Sequence, residues 1–417
     1  MNSDKPDIEP DIDVDKTQIK DDRETVSAME PMLVRESARH REKLADLALE
    51  LTGLSVGLRR SLPEGIADAL STLVRAMNCY YSNLIEGHDT HPVDIERALN
   101  DDFSQDPEKR DLQKEARAHI TVQQWIDEGG LAGRATSLSG VLETHERFCS
   151  LMPEELLWVE NPDTGERIKV IPGALRETYV KVGRHVAISP GAIPRFMARF
   201  EDAYAKLGTV DSIIAAAAAH HRLLWMHPFS DGNGRVARLM SYALIRDALN
   251  TGGLWSIARG LARNEAKYKS HLAACDQPRH GDLDGRGNLS EEALAEFAIF
   301  FLETCIDQVR FMESLIEPNR LENRIIIWAQ EEMRAGELPA KSDIILKAVL
   351  NRGELPRSDA PAILGSTSRH ARRVTSALIE HGVLISKSTR APVRLAFPAA
   401  LAGRWMPGLF PDKAGSI

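Results

Sequence analysis

Aromatic side chains are scarce in this chain of 417 residues: Phe, Trp and Tyr together make up 6%. The core must therefore be built from Leu, Ile, Val and Ala, within an overall hydrophobic content of 43%. Cysteine is scarcer still. Cys79, Cys149, Cys275 and Cys305 are scattered and include no CxxC pair. That excludes a disulfide framework and reads as reduced, buried thiols of a cytoplasmic protein. Long apolar runs are missing too. Residues 213–226 are too few to span a bilayer and contain His220, His221 and Arg222. The N-terminus lacks the basic-then-apolar pattern of a secretion signal, so no membrane partner is expected. Positive charge is not in excess either: the net charge of −9 argues against nucleic-acid binding by the chain as a whole. The length allows two or three domains with real cores.

What is present is concentrated in one run, His227-Pro228-Phe229-Ser230-Asp231-Gly232-Asn233-Gly234-Arg235-Val236-Ala237-Arg238. An apolar stretch at 213–226 precedes it, and a helical pattern at 236–249 follows it. The run therefore reads as helix, loop, helix. A helix N-terminus offers unpaired amides and partial positive charge, so it attracts anions. Gly232 and Gly234 let the backbone approach a phosphate and take positive φ. Arg235 and Arg238 are three apart on one helix face, and guanidinium forks suit phosphate oxygens. Asp231 offers hard oxygens for Mg²⁺, and His227 can take a proton from an incoming hydroxyl. Asp-Gly-Asn-Gly alone would be an ordinary turn, but a turn needs neither the upstream His-Pro-Phe nor an arginine pair. His220, His221 and His227 lack the HExxH spacing or cysteine partners of a zinc site; His220 and His221 are expected to flank the helix before the loop.

The run resembles the signature of the Fic family, HPFx[DE]GNGRxxR, at every defined position. The resemblance implies a mainly α-helical Fic-type core with a small β-hairpin flap. It also implies transfer of AMP from ATP, with Mg²⁺, to a Ser, Thr or Tyr hydroxyl of a protein. His227 would be the general base and Asp231 the Mg²⁺ ligand. Gly232, Asn233 and Gly234 would form the anion hole, Arg235 would hold phosphate, and Arg238 would hold the γ-phosphate. Residues 82–87 fit the family's inhibitory motif, [ST]xxxE[GN], through Ser82 and Glu86, which are four apart on one helix face. In the family this glutamate competes with the γ-phosphate for the second motif arginine. Residues 176–186 are β-prone between two Pro-Gly pairs and resemble the flap hairpin, along which a target protein would dock. The family pattern places Val182, Gly183, Arg184 and His185 beside ATP. Residues 255–260 with Tyr268 and Lys269 resemble the segment that closes the adenine pocket. Relatives often carry a second aromatic at the position of Lys269 and an amide at that of Asp276.

Along the chain, residues 1–27 are acidic, poor in large apolar side chains, and expected to be disordered or loosely attached. Residues 28–144 read as a helical region holding the inhibitory helix, with a break at 62–65, a turn at His91-Pro92 and a loop at 105–108. Residues 145–317 would be the catalytic core, with a loop at 276–288 and a long helix at 292–316. Residues 318–417 change character: helix, turn, helix (369–380) and hairpin (383–397) give the plan of a winged helix-turn-helix domain. Its would-be recognition helix carries Arg369, Arg372 and Arg373, and its wing Lys387, Arg390 and Arg394. That patch at 357–397 allows nucleic-acid contact, though the overall charge favours a module that mediates protein contacts or packs on the Fic core. A homodimer is also compatible with the sequence. Two alternatives share the same residues: removal of AMP from a modified protein, with Glu86 aligning a water, and a DNA-binding regulator whose core only senses nucleotide.

Overall fold

The computed structural model describes residues 19–160 and 165–411. Among them are sixteen α-helices and seven strands of two or three residues. Helix α1 (Arg41–Arg60) stops before Leu62-Pro63, and α2 (Glu64–Ile85) starts directly after that proline, which cannot continue a helix from the preceding turn. Helix α3 (Pro92–Leu99) begins at the expected His91-Pro92 turn. Helix α4 (Pro107–Asp127) begins earlier than expected. Pro107 takes the first helical position and the Asp106 carboxylate accepts from the Glu108 amide at 3.1 Å, so a polar segment read as loop is a helix start. Helix α5 (Leu138–Cys149) is capped by Ser137.

Two hairpins follow: β1 (Trp158–Glu160) with β2 (Arg167–Lys169), and β3 (Lys181–Val182) with β4 (His185–Val186). Helices α6 (Ile193–Tyr204), α7 (Thr209–Met226) and α8 (Asn233–Leu249) come next. Helix α7 carries alanine at 215–219, every one at most 2% exposed. Small side chains on all sides let α1, α6, α8 and α11 close in around it, as befits a helix apolar all round. Helices α9 (Ala258–Arg263), α10 (Glu265–Cys275) and α11 (Glu291–Ile316) complete this core, with the expected loop before α11. All four cysteines are free and buried. No helix among the described residues is long and apolar enough to cross a membrane.

Residues 19–27, expected to be loose, are held. The Asp21 carboxylate pairs with Arg195 at 2.6 Å, Glu24 accepts from the Ser189 amide at 2.6 Å, and the Gly191 amide donates to the Lys20 carbonyl. Acidic side chains that read as a solvated tail meet an arginine and free amides at the start of α6. Residues 1–18 lie outside the described residues.

The chain bends at Glu317 into α12 (Pro318–Ala335) and α13 (Ser342–Arg352). Then come β5 (Glu354–Leu355), α14 (Ala360–Leu364), α15 (Ser368–Glu380), β6 (Leu384–Ile385), β7 (Val393–Leu395) and α16 (Ala399–Trp405). The three strands form an antiparallel sheet in the order β5-β7-β6. This last stretch packs on the N-terminal helices: β7 lies against α2 and α16 against α3. A Cβ at Gly65 would overlap the carbonyl of Gly353.

Candidate active site

Helix α7 ends at Met226, and His227 turns the chain with φ 50° and ψ 62°, its amide bonded to the Leu223 carbonyl at 3.0 Å. A left-handed conformation is uncommon for a residue with a side chain. Asn233 closes the loop that follows. Its Oδ1 accepts from the Phe229 amide at 3.0 Å and its Nδ2 donates to the Phe229 carbonyl at 2.8 Å. Gly232 has φ 79°, as expected, and begins α8. Gly234 does not take positive φ; it sits in the first turn of the helix. Its missing side chain is explained by crowding, since a Cβ there would run into the Glu86 carboxylate and Arg238.

The loop is supported from below by His145. Its ring stacks on Phe229 with centroids 3.8 Å apart. Nδ1 accepts from the Gly173 amide at 3.0 Å, so Nε2 carries the proton and donates to the Asp231 carbonyl at 3.2 Å. Burial pushes this histidine down to about 4, keeping it neutral. Arg176, 2% exposed, ties the flap to the same loop. It donates to the carbonyls of His227 (2.7 Å), Ile188 (2.6 Å) and Thr178 (2.7 Å).

The two motif arginines have separate partners. Arg235 pairs with Glu115 of α4 at 2.9 Å, and the other Glu115 oxygen accepts from His88 Nδ1 at 2.6 Å. The His88 bond to Glu115 raises that histidine above its ordinary value. Arg238 donates to Ser82 Oγ at 2.8 Å and to the Ser82 carbonyl at 3.1 Å, and it pairs with the Glu86 carboxylate. Burial acts to raise Glu86, but Arg238 and Arg235 outweigh it and hold the carboxyl below its usual range. An anion of the protein itself therefore lies over the N-terminus of α8.

His227 is pushed down to about 4 by burial and by the nearby Arg176 charge, so its imidazole is neutral and able to accept a proton near pH 7. Among the described residues no hydrogen bond or ion pair engages the Asp231 carboxylate. The first amides of α8 have no intrahelical acceptor. A neutral imidazole, an unengaged carboxylate, a helix N-terminus and two arginines of α8 thus meet at one loop. The donor set fits a polyphosphate with a divalent cation: amides and guanidinium for anionic oxygens, carboxylate for the metal.

The flap closes through a Gly183-Arg184 turn, with Gly183 at φ 60°. Val182 and Val186 are exposed, whereas His185 donates to the Trp225 carbonyl at 2.7 Å, which anchors the flap to the end of α7. Tyr268 is not an open wall of a pocket. It is 3% exposed and donates to His220 Nε2 at 2.7 Å, while His220 Nδ1 donates to Ser241 at 2.8 Å. Lys269, one residue on and so about 100° round the helix, is exposed and pairs with Glu265. It is not brought to the loop by any bond. Asp276 accepts from His221 Nε2 at 2.9 Å. Both histidines of α7 are thus engaged within the protein.

Glu115, His88, His145 and Arg176 belong to the site but are invisible as motifs. A signal exists for the first: Glu115, His119 and Gln123 are buried at intervals of four on α4, a polar stripe turned inward.

Residues 137–245 match the model of the Fic/DOC family. The chain is similar to a protein adenylyltransferase Fic of Drosophila willistoni, 27% identical over 226 residues, covering 51% of this chain and 42% of that protein. It is also similar to protein adenylyltransferase fic-1 of Caenorhabditis elegans, 36% identical over 105 residues, covering 22% of this chain and 20% of that protein. The chain thus spans less than half the length of these curated relatives. A crystal structure of a Fic family protein from Desulfovibrio desulfuricans G20 has a similar fold, with a TM-score of 0.50 at 16% identity, covering 87% of this chain and 98% of that one. The signature loop at the end of α7 thus lies within residues 137–245, the segment of this chain that matches the Fic/DOC family.

Proposed function

We propose that this protein is an adenylyltransferase that moves AMP from ATP to a protein hydroxyl and is restrained by its own Glu86. The observation that carries the reading is the neutral His227 beside the unengaged Asp231 at the N-terminus of α8. The α8 amides and Arg235 would hold the phosphates, and Asp231 would hold Mg²⁺, which supplies charge neutralisation when bound. The exposed flap strands would align a target segment by edge pairing. His227 removes the proton of the attacking hydroxyl as that oxygen bonds to the α-phosphorus. The bond from the α-phosphorus to the bridging oxygen breaks, and pyrophosphate leaves. Positioning and fixed charge would supply most of the rate.

Restraint follows from shared use of one arginine. Arg238 cannot serve Glu86 and a γ-phosphate in the same geometry, and Glu86 fills the space over Gly234. The test is label incorporation from α-labelled ATP with Mg²⁺. Glu86→Gly is expected to label itself well above wild type. Adding His227→Ala is expected to remove the gain, with a loss of about 10²–10⁴-fold. Labelling in Glu86→Gly at or below the wild-type level would refute restraint, and undiminished labelling in the double variant would refute the base.

A further inference from the structure

The Fic-domain reading leaves unused the basic patch at the far end of the chain. Residues 357–397 hold seven arginines and lysines against two acidic side chains, in a chain whose net charge is −9. The structure sorts these charges. Helix α15 buries Ala371, Val374, Thr375 and Leu378 against its own module, while Arg369, Arg372 and Arg373 stand exposed on the outer face. Lys387 and Arg390 are exposed on the loop between β6 and β7. Among the described residues none of these five forms an ion pair. Exposed arginines elsewhere commonly do, as in Arg97–Asp102, Arg117–Asp101 and Arg404–Glu331. Within the patch, Arg394 is paired with Glu354 and with Asp68 of α2. Of the two acids, Asp359 is paired with Arg352, and Glu380, exposed at the end of α15, is the one carboxylate lining the cleft beside these cations.

The surface is also shaped. A cleft of about 1040 Å³ runs between α15 and the β6–β7 loop, with Arg357, Arg372, Thr375, Ser376, Ser388 and Arg390 among its walls. The loop is held in place: Ser386 Oγ donates to the Ser388 carbonyl at 2.8 Å, and Ser388 Oγ accepts from the Ala391 amide at 3.1 Å. Thr367 caps α15, whose first turn bears Arg369, so helix polarity and side-chain charge attract anions at the same end.

We propose that the outer face of α15 and the β6–β7 loop form a binding surface for duplex DNA. A protein partner would call for apolar or aromatic anchors. No aromatic occurs between 357 and 396, and Ile385 is the one large hydrophobic of this stretch that is strongly exposed among the described residues. A polyanion needs no such anchor. Cations spaced along a helix, with a second group beside it, match phosphates lining a groove. The B-form major groove admits an α-helix, whereas that of A-form RNA is too deep and narrow.

The experiment is fluorescence anisotropy of the full chain with a labelled DNA duplex of about 30 bp, titrated between about 50 and 200 mM salt. Binding is expected at low salt and should weaken steeply as salt rises, with a slope near the five unpaired cations. Arg372→Glu with Arg373→Glu, and separately Lys387→Glu with Arg390→Glu, should each lower affinity at least about tenfold and flatten the slope. Lys206→Glu, exposed on another part of the molecule, should bind as wild type, and unchanged circular dichroism would show that the variants are folded. Absence of binding at low salt would overturn the proposal. So would equal affinity for duplex RNA or polyglutamate, or folded charge-reversed variants that bind as wild type.

Discussion

Arg235 and Arg238 lie three residues apart on one helix, yet their carboxylate partners differ in kind. Glu115 is fully buried and shared with His88, whereas the Glu86 side chain is 30% exposed, and Arg238 keeps Ser82 as a second partner. Removing one member of a buried ion pair leaves an uncompensated charge and typically costs about 3–5 kcal/mol. Glu115→Ala is therefore expected to lower stability by about that amount in urea denaturation, while Glu86→Gly should cost much less. Equal losses in the two variants would show that Glu115 does not carry the buried charge. At this scale the signature loop could be read from the sequence because its residues are consecutive. Glu115, His145 and Arg176 could not: each comes from a different element, and only the packing of α4, α5 and the flap around α8 brings them to the loop. Gly234 was legible as a special position but not for the right reason. Crowding by Glu86, not backbone conformation, excludes a side chain there.

Among elements, α2 joins the signature loop to the C-terminal tail. One side carries Ser82 onto Arg238; other residues of its last turns meet the C-terminal tail. Tyr81 donates to the Leu409 carbonyl at 3.2 Å, and Tyr80 meets Phe410 edge to face with centroids 5.7 Å apart. Arg259 donates to the Gly408 carbonyl at 3.0 Å and lies over Phe311. The tail thus straps the end of α2 next to Ser82. Phe410→Ala removes an aromatic pair worth about 0.5–1.5 kcal/mol beyond burial. It is expected to speed hydrogen exchange at residues 78–86 and to raise self-labelling above wild type. Unchanged exchange there would show that the tail does not brace the helix. The helices on either side of the signature loop and the long helix α11 were legible from apolar periodicity and from proline and glycine breaks, whereas α5, α6, α9 and α10 were not legible as separate elements. The two-residue strand β5 was not, because two residues show no period. Helix α4 began within a supposed loop because Asp106-Pro107 is a capping signal rather than a break.

For the whole molecule, buried histidines set the response to acid. Burial pushes His119 and His220 down to about 3 and His221 to about 4, against 6.5 when unfolded. Between those limits the unfolded chain binds protons that the folded chain refuses, so stability falls as pH drops through about 6.5 toward 4. With His145 and His227, also held near 4, five such groups give a slope of about 6 kcal/mol per pH unit near pH 5. Urea midpoints measured at pH 7, 6 and 5 should fall with increasing steepness, and His119→Gln, which removes one titrating group, should flatten the trend. A flat profile would mean that these rings become charged without unfolding.

The placement of Glu86 on Arg238 also changes what a binding isotherm reports. A nucleotide whose terminal phosphate needs that arginine binds only the fraction of molecules in which the helix has let go. The apparent dissociation constant is the intrinsic one divided by that fraction. Under the proposed function, affinity for ATP in the wild type thus becomes a gauge of how often α2 releases its arginine. ADP, which lacks the terminal phosphate, should bind almost equally well to wild type and Glu86→Gly. The ratio of the ATP dissociation constant in Glu86→Gly to that in wild type, with ADP as the control, would then give the released fraction of the helix without any turnover being measured.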